Sequence, residues 1–431
     1  MKFVSTRGAA GPVGLSEAIR AGAAPDGGLY LPASLPRLPA LDPDLPLHAF
    51  AVQMLTPFFA GDALAESLAG ICAQAFDFPL PIVTPDPSRP QRHALELFHG
   101  PTGAFKDFGA RFLMACFDRI GDRAGPLTVL AATSGDTGGA VGAAAEGRDG
   151  VRALILYPKG RVSPFQELQL TCWNAPVEAL EVEGDFDACQ RLVKEAFADP
   201  GLVAAHHLTS ANSINIGRLL PQMAYLGWAA AQMEARTGRR PGLIVPTGNL
   251  GHGFAAVYAR AIGLPIGPII LVTNANRSLQ DWRSNGTYEP RASIATIANA
   301  MDVGAPSNFE RLIALPAAQR ALRVELVDDD AIRARIRREH VESGYLWCPH
   351  SATAAEAYAR LPSEEQGERP WLAAATAHPY KFAEVIEPLI DGNVTPPPAL
   401  AAILDREAAK RCIAPDLGAL ADALAATGVA A

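Results

Sequence analysis

The hydrophobic pattern of residues 127–376 alternates short apolar runs with amphipathic segments. Short apolar runs bounded by turn residues are typical of buried strands, and the segments between them carry apolar residues at helical spacing. Buried strands that alternate with helices favour a parallel sheet with helices on both faces. We therefore expect an α/β fold. The predicted strands are 127–133, 151–157, 177–182, 243–245, 269–273 and 371–376.

The two ends of the chain depart from this alternation. Residues 1–90 are rich in proline and glycine, and their pattern predicts one helix near 62–75. Residues 396–431 are rich first in proline and then in alanine, so we expect a helical appendage there. At 431 residues the chain is too long for one simple core, which favours two or three domains.

Composition narrows the class of protein. Apolar residues make up 49% of the chain and charged residues 19%, which is typical of a well-buried globular enzyme. The net charge of −8 gives no electrostatic reason to bind nucleic acid, and no apolar run is long enough to span a bilayer. The six cysteines form no Cys-x-x-Cys pair and the histidines no His-Glu-x-x-His pattern, so we expect a cytoplasmic protein without a metal site.

Residues 97–109 place a single lysine, Lys106, between two phenylalanines and after a Pro-Thr-Gly turn. Apolar residues then recur at helical spacing, which puts Lys106 near a helix N-terminus with Thr102 as its N-cap. Burial and the positive end of the helix dipole disfavour an ammonium there, and a neutral amine can form a Schiff base or act as a base. The alternative is a lysine whose stem lies in the core and whose amine reaches solvent.

Three further loops lie at the edge where open α/β sheets bind ligands. Loop 133–139 is small and rich in hydroxyls, so its N–H groups suit a carboxylate, although a tight capped turn is the alternative. Loop 246–253 is rich in glycine and suits a phosphate. Loop 210–218 places Asn and Ser residues before a helix that carries Arg218. That loop suits a second phosphate, and a capped helix with a surface arginine is the alternative.

The glycine loop has a rival interpretation, because residues 251–256 formally match the dinucleotide fingerprint. That fingerprint requires an acidic residue about 20 positions further on to hold the ribose. No Asp or Glu occurs between Glu234 and Asp281. The predicted helix also starts only near Phe254, too far from the strand for a tight dinucleotide turn. A small phosphate is therefore favoured over NAD.

A lysine, a phosphate loop, an anion loop and a second phosphate site together favour pyridoxal phosphate and an amino-acid substrate that carries phosphate. On these motifs the chain resembles the threonine synthase family, in its branch without an allosteric extension. The resemblance implies a fold-type II pyridoxal-phosphate enzyme, similar to tryptophan synthase β, with two parallel-sheet α/β domains and an N-terminal segment. The matching stretches are 4–8, 26–30, 99–109, 132–139, 156–158, 182–187, 212–215, 273–276, 299–303 and 376–379.

The resemblance also implies domain bounds and residue roles. The N-terminal segment would span 1–90, a smaller α/β domain with the lysine helix and the substrate carboxylate loop 91–205, and a larger α/β domain with the phosphate loop and C-terminal helices 206–431. Lys106 would be the Schiff-base lysine and proton shuttle. The implied cofactor ligands are Lys106, Asp136, Gly248, Asn249, Leu250, Gly251, His252 and Thr376. The implied substrate ligands are Ser134, Gly135, Thr137, Ser213, Asn215 and Arg218.

Within this set, Asp136 would face the cofactor 3′-oxygen and Thr376 would meet the pyridine nitrogen. The chain departs from its branch at Leu250-Gly251-His252, where relatives more often have Phe-Gly-Asp. Because the expected phosphate donors are backbone N–H groups, the change should not prevent cofactor binding.

The implied reaction converts O-phospho-L-homoserine and water to L-threonine and phosphate, the last step of threonine biosynthesis. A serine/threonine dehydratase or phospholyase of the same fold is the alternative, although a plain dehydratase would leave Arg218 and Ser213 without a phosphate to bind. A homologue without cofactor that only binds a partner would leave Lys106 unexplained. We expect a small-molecule substrate, no nucleic-acid or membrane partner, and a monomer or homodimer.

Overall fold

The computed structural model describes residues 1–120, 125–133, 135–315 and 322–426. These residues form an N-terminal segment and two sheets that are mainly parallel, each covered by helices, so the predicted α/β class is confirmed. Each predicted strand is present to within one residue at either end. No helix in the described ranges is both long enough and apolar enough to cross a membrane.

The N-terminal segment contains three helices where the pattern predicted one. Its elements are β1 (Phe3–Ser5), α1 (Leu15–Ala21), β2 (Tyr30–Pro32), α2 (Leu47–Phe59) and α3 (Leu68–Ala75), with β1 and β2 paired antiparallel. The predicted helix near 62–75 is α3, preceded by a short 3-10 turn. Helix α1 is only two turns long, and α2 contains Pro57, so the sequence pattern indicated neither.

The remaining strands follow in chain order: β3 (Ile82–Val83), β4 (Arg92–Glu96), β5 (Leu127–Ala132), β6 (Val151–Pro158), β7 (Val177–Val182), β8 (Leu208–Thr209), β9 (Gly242–Pro246), β10 (Ile269–Thr273), β11 (Leu322–Leu326), β12 (Trp371–Ala375) and β13 (Arg411–Ile413).

The remaining helices are α4 (Lys106–Arg119), α5 (Asp136–Ala145), α6 (Pro164–Thr171), α7 (Phe186–Ala198), α8 (Pro200–His206), α9 (Ile216–Thr237), α10 (Gly251–Ala261), α11 (Ser278–Asn285), α12 (Phe309–Ile313), α13 (Asp329–Ser343), α14 (Pro349–Ala359), α15 (Ser363–Glu368), α16 (Ala383–Ile390), α17 (Pro398–Leu404) and α18 (Leu417–Ala426).

Each of the two sheets contains strands from both sides of position 205, the predicted boundary between the α/β domains. The six-stranded sheet has the order β11-β10-β9-β12-β4-β3 and is parallel except at β3, while the five-stranded sheet has the parallel order β13-β7-β6-β5-β8. Strand β4 thus joins the sheet built mainly from later residues, and β8 and β13 join the other. The domain bounds 1–90, 91–205 and 206–431 stay a prediction.

Strand β13 corrects the expectation of a purely helical C-terminal appendage. It pairs with β7, with Arg411 opposite Leu180. A strand of three residues is too short to show a hydrophobic pattern, so only its pairing with the neighbouring sheet edge defines it.

Helix α4 lies between the helices that cover the two sheets. It packs against α3, α5 and α9, and its buried residues have the predicted helical spacing. Helices α9 and α10 pack over one face of the six-stranded sheet, while α13 and α14 pack over the other. The first residue of α4 therefore lies where the two halves of the molecule meet.

Candidate active site

Lys106 is the first residue of α4, as predicted, and its side chain is 16% exposed. The residue before it is held by two distant parts of the chain. The Phe105 N–H donates to the Thr376 carbonyl at 2.8 Å, and the Phe105 ring stacks on His252 with centroids 4.7 Å apart. The turn at Phe105 and Lys106, here called the lysine turn, is therefore held against both the end of β12 and the start of α10.

Thr102 is not the cap of α4, so that expectation was wrong. Its N–H donates to Asp107 Oδ2 at 2.9 Å, and its Oγ1 donates to Oδ1 at 2.6 Å. Burial raises the pKa of Asp107 to about 6, although the bonds from Thr102 act in the opposite direction. The turn before Lys106 thus closes on the buried carboxylate of Asp107, the second residue of α4.

We expect Asp107→Asn to change how stability depends on pH. The folded chain raises the pKa of Asp107 from 3.8 to about 6, so it binds the extra proton in this window and loses stability as the pH rises through it. An amide does not titrate. Between about pH 4 and pH 7 the free energy of unfolding of the variant should rise by about 3 kcal/mol relative to wild type. Urea unfolding measures this, and parallel pH profiles for the two proteins would contradict it.

Asp136, the first residue of α5, lies between two lysines. Its Oδ2 is 3.6 Å from Lys106 Nζ, and its Oδ1 is 3.2 Å from Lys381 Nζ. Burial alone would raise the pKa of Asp136, but Lys381 and Lys106 hold it far below its ordinary range. Burial lowers the pKa of Lys106; Asp136 opposes this, while Arg218 and Lys381 lower it further. Asp136 is therefore an anion beside an amine that loses its proton readily.

The loop before α5 is held by Thr133, whose Oγ1 accepts from the N–H groups of Gly135 at 3.1 Å and Gly138 at 3.2 Å. A Cβ on Gly135 would lie 3.0 Å from Gln166 Nε2. Thr137 is half-buried in the first turn of α5. Ser134 lies outside the described residues. The carboxylate-binding role of this loop stays a prediction.

Helix α10 begins at Gly251, which corrects the expectation of a start near Phe254. Only residues 247–250 separate it from β9, so the argument from loop length against a dinucleotide was wrong. Glycines at 251 and 253 are poor helix formers, which moved the sequence prediction to the first apolar residues after them. The absence of any Asp or Glu between Glu234 and Asp281 still opposes the dinucleotide interpretation.

Residues 248–251 form a cradle of backbone groups, here called the phosphate cradle. Leu250 has a φ of 60°, and a Cβ on Gly248 would lie 2.8 Å from Met301 Cα. None of the four N–H groups donates a hydrogen bond to any residue that the structure describes. Free N–H groups at a helix N-terminus suit a phosphate.

His252 supports this cradle by packing. Its ring lies between Phe105 and Tyr225, with centroid distances of 4.7 Å and 5.8 Å. Burial lowers the pKa of His252 to about 3. The imidazole is therefore neutral at physiological pH and adds no charge to the phosphate cradle.

The phosphate cradle is joined directly to the loop at 210–218. Asn249 Nδ2 donates to Ser213 Oγ at 2.6 Å, and Asn249 Oδ1 accepts from the Ser307 N–H. Two of the predicted anion sites are thus neighbours, which their separation in the sequence did not show.

Asn215 caps α9 and is fully buried. Its Oδ1 accepts from Gly217, and its Nδ2 donates to the carbonyls of Ile19 and Ser210. The side chain is thus engaged within the protein, and its predicted contact with substrate phosphate stays a prediction.

Arg218 is not the surface arginine of the alternative interpretation, since only 4% of it is exposed. Its Nη1 donates to the Ala211 carbonyl at 2.6 Å. Its Nε has no partner, and no described residue accepts a hydrogen bond from Nη2. Burial lowers the pKa of Arg218 to about 10, so the guanidinium stays charged. It is a buried cation with unused donors.

Thr376 lies at the end of β12, next to the lysine turn. Its N–H donates to Ser351 Oγ at 2.8 Å, and its Oγ1 is 3.3 Å from the same oxygen. Sequence reasoning missed Ser351, His350 and Lys381. A signal for Lys381 was present, because it follows Thr376 closely, in the stretch after the last apolar strand.

Three family models match this chain. The model described as pyridoxal-phosphate dependent enzyme matches residues 66–376, the threonine synthase N-terminus model matches 2–76, and the threonine synthase C-terminal model matches 351–423. The first alone covers more than half of the chain. The structure fits such a cofactor, because a lysine with a lowered pKa and a cradle of free N–H groups lie on segments in direct contact.

Individual relatives agree with the family models. Threonine synthase of Serratia marcescens is 39% identical over 399 residues, covering 90% of this chain and 91% of its own. Threonine synthase of Escherichia coli (strain K12) is 37% identical, covering 95% of both. The crystal structure of PLP-bound threonine synthase from Brucella melitensis matches with a TM-score of 0.92 at 34% identity, over 100% of both chains. The chain therefore belongs to the threonine synthase family of pyridoxal-phosphate-dependent lyases.

Proposed function

We propose that this enzyme converts O-phospho-L-homoserine and water to L-threonine and phosphate. One observation carries the proposal: the phosphate cradle contacts the loop of Arg218 through the Asn249–Ser213 hydrogen bond, and the segment of Lys106 contacts the start of α10 through Phe105 and His252. The two loops predicted to bind anions are therefore neighbours of each other and of the lysine segment. One site suits the phosphate of the cofactor and the other the phosphate of a substrate.

The residues named above would hold the cofactor. Lys106 would hold its carbonyl carbon, residues 248–251 its phosphate, Asp136 its 3′-oxygen and Thr376 its ring nitrogen. When bound, pyridoxal phosphate delocalises the negative charge left by a proton that leaves the substrate Cα.

Lys106 moves the protons in this proposal. As a neutral amine, its Nζ accepts the proton from the substrate Cα. A second proton leaves the substrate Cβ as the bond from Cγ to the phosphate oxygen breaks, and the phosphate is released as hydrogen phosphate. The Lys106 ammonium then returns its proton at Cγ. Asp136 Oδ2, 3.6 Å from Nζ, stabilises the ammonium between these transfers. Water then adds across Cα and Cβ, giving the threonine hydroxyl at Cβ and restoring a proton at Cα.

Arg218 and Ser213 bind the substrate phosphate in this proposal. They select the substrate and stabilise the charge that develops on the leaving phosphate. The unused Nε and Nη2 donors of Arg218 support this role, since leaving buried guanidinium donors without an acceptor is costly.

Arg218→Ala should lower kcat/KM for O-phospho-L-homoserine by about 10²-fold or more, mainly through KM, because truncating one partner of a buried charge pair costs several kcal/mol. The visible absorbance of the bound cofactor should persist. Arg236→Ala, on the exposed last turn of the same helix, is the matched control and should behave as wild type. Unchanged steady-state kinetics in Arg218→Ala would contradict the proposal that Arg218 binds the substrate phosphate.

The decisive assay measures phosphate and threonine together. Purified holoenzyme with O-phospho-L-homoserine should release one phosphate for each threonine formed. Phosphothreonine and threonine are the comparison substrates. Turnover of either of these in preference to O-phospho-L-homoserine would favour the phospholyase or dehydratase and contradict the proposal.

We also propose a cytoplasmic location and a monomer or homodimer. All six cysteines are unpaired, which supports a reducing compartment. Light scattering on the purified protein distinguishes the oligomeric states.

A further inference from the structure

Lys381 is a second buried lysine beside Asp136, and the proposed reaction does not use it. It belongs to the 3-10 helix Pro379–Phe382, which follows β12, and its side chain has no exposed surface. Its Nζ donates to the Thr102 carbonyl at 2.7 Å and to Gln169 Oε1, and lies 3.2 Å from Asp136 Oδ1. Three segments distant in sequence therefore converge on one amine.

The surroundings of Lys381 suit an ammonium held within the protein rather than a ligand-binding amine. An ammonium has three N–H donors, and three oxygens surround this one. A neutral amine would leave the buried Asp136 carboxylate with a weaker partner, at a substantial cost. Since its two hydrogen bonds and its ion pair with Asp136 all lie within the protein, Lys381 acts as a fixed charge.

The charged and titratable groups around Lys106 come from several elements. Asp136 on α5 is the anion nearest to Lys106, and Arg218 on α9 is a further cation. His350 on α14 is neutral, because burial lowers its pKa to about 4. The titratable groups that interact electrostatically with Lys381 itself are Asp136, Asp107, Lys106, His350 and His378.

A buried carboxylate whose nearest cation was Lys106 alone would hold Lys106 as an ammonium. We propose that Lys381 is a positioning residue that gives Asp136 a permanent cation, so that Lys106 can lose its proton and react as a neutral amine. With the Lys381–Asp136 pair already neutral overall, a proton on Lys106 adds an unbalanced buried charge. This inference rests on the proposed role of Lys106 as the cofactor lysine.

The test measures the reactivity of Lys106 without measuring turnover. Full-length apoprotein is mixed with pyridoxal phosphate over a range of pH, the adduct is trapped with borohydride, and peptide mass spectrometry gives the labelling rate at Lys106. In Lys381→Met the midpoint of labelling should move to higher pH by at least about one unit. At a pH below both midpoints, Lys106 should then be labelled about tenfold more slowly in Lys381→Met than in wild type. Lys381→Arg keeps the charge and should retain the wild-type midpoint.

A double variant separates charge balance from a merely structural role. Lys381→Met combined with Asp136→Asn removes both charges, so its midpoint should return to the wild-type value or below. A shift in Lys381→Met that Asp136→Asn leaves unchanged would overturn the inference, as would coincident wild-type and Lys381→Met profiles. Failure of wild type to label at Lys106 would instead overturn the proposed function itself.

Discussion

Lys106→Ala should remove the visible absorbance of the bound cofactor and lower kcat/KM for O-phospho-L-homoserine by at least about 10⁴-fold. The variant removes the amine that would hold the cofactor and move the substrate protons. Lys381 cannot take over, because its amine is held by hydrogen bonds to Thr102 and Gln169 and by an ion pair with Asp136.

Absorption spectroscopy of the purified protein and the phosphate-release assay measure the two effects separately. Lys159→Ala is the matched control, since Lys159 is half-exposed and pairs with Glu183 at 3.0 Å on the surface. The control should keep both colour and activity. A Lys106→Ala protein that remained yellow and active would show that another amine serves the cofactor.

Glu339→Ala should lower the free energy of unfolding by about 3–5 kcal/mol. Glu339 on α13 accepts two hydrogen bonds from Arg92 at the start of β4, at 2.5 Å and 2.7 Å, and both side chains are 1% exposed. Arg335 on the same helix adds a third contact at 3.2 Å. Burial opposes ionisation of Glu339, but the two arginines still lower its pKa. Removing Glu339 leaves the buried Arg92 without its paired carboxylate, while Arg335 keeps Glu356 at 2.8 Å.

The same helix provides the control for this prediction. Glu342 pairs with Arg89 at 3.0 Å, and both side chains are more than one third exposed. Since exposed pairs contribute little, Glu342→Ala should cost about 1 kcal/mol or less. Chemical denaturation of the two variants gives the comparison. Equal destabilisation would show that the Arg92–Glu339 pair does not stabilise the packing of α13 on the sheet.

Local sequence patterns were sufficient for the fold class and for the reacting amine. Apolar runs and helical spacing are properties of neighbouring residues, so strands such as Val177–Val182 and the start of α4 at Lys106 could be read directly. The glycine loop at 248–251 and the motifs shared with the family were visible for the same reason.

The contacts that build the site had no such local signal. Lys381 lies 279 residues from the Thr102 carbonyl that it contacts, and Arg311 reaches Tyr30 across 281 positions. Strand β13 is defined only by its pairing with the neighbouring strand β7. The start of α10 at Gly251 was likewise hidden, because its glycines carry no apolar pattern.

The sequence by itself therefore determined an α/β enzyme with a lysine at a helix start and glycine-rich anion loops. Only the tertiary structure decided that Arg218 is buried with unused donors, that the Asn249–Ser213 hydrogen bond joins the two anion sites, and that Lys381 balances Asp136. The reason is physical: periodicity encodes which face of an element is buried, while the partner of a buried charge depends on how distant elements pack.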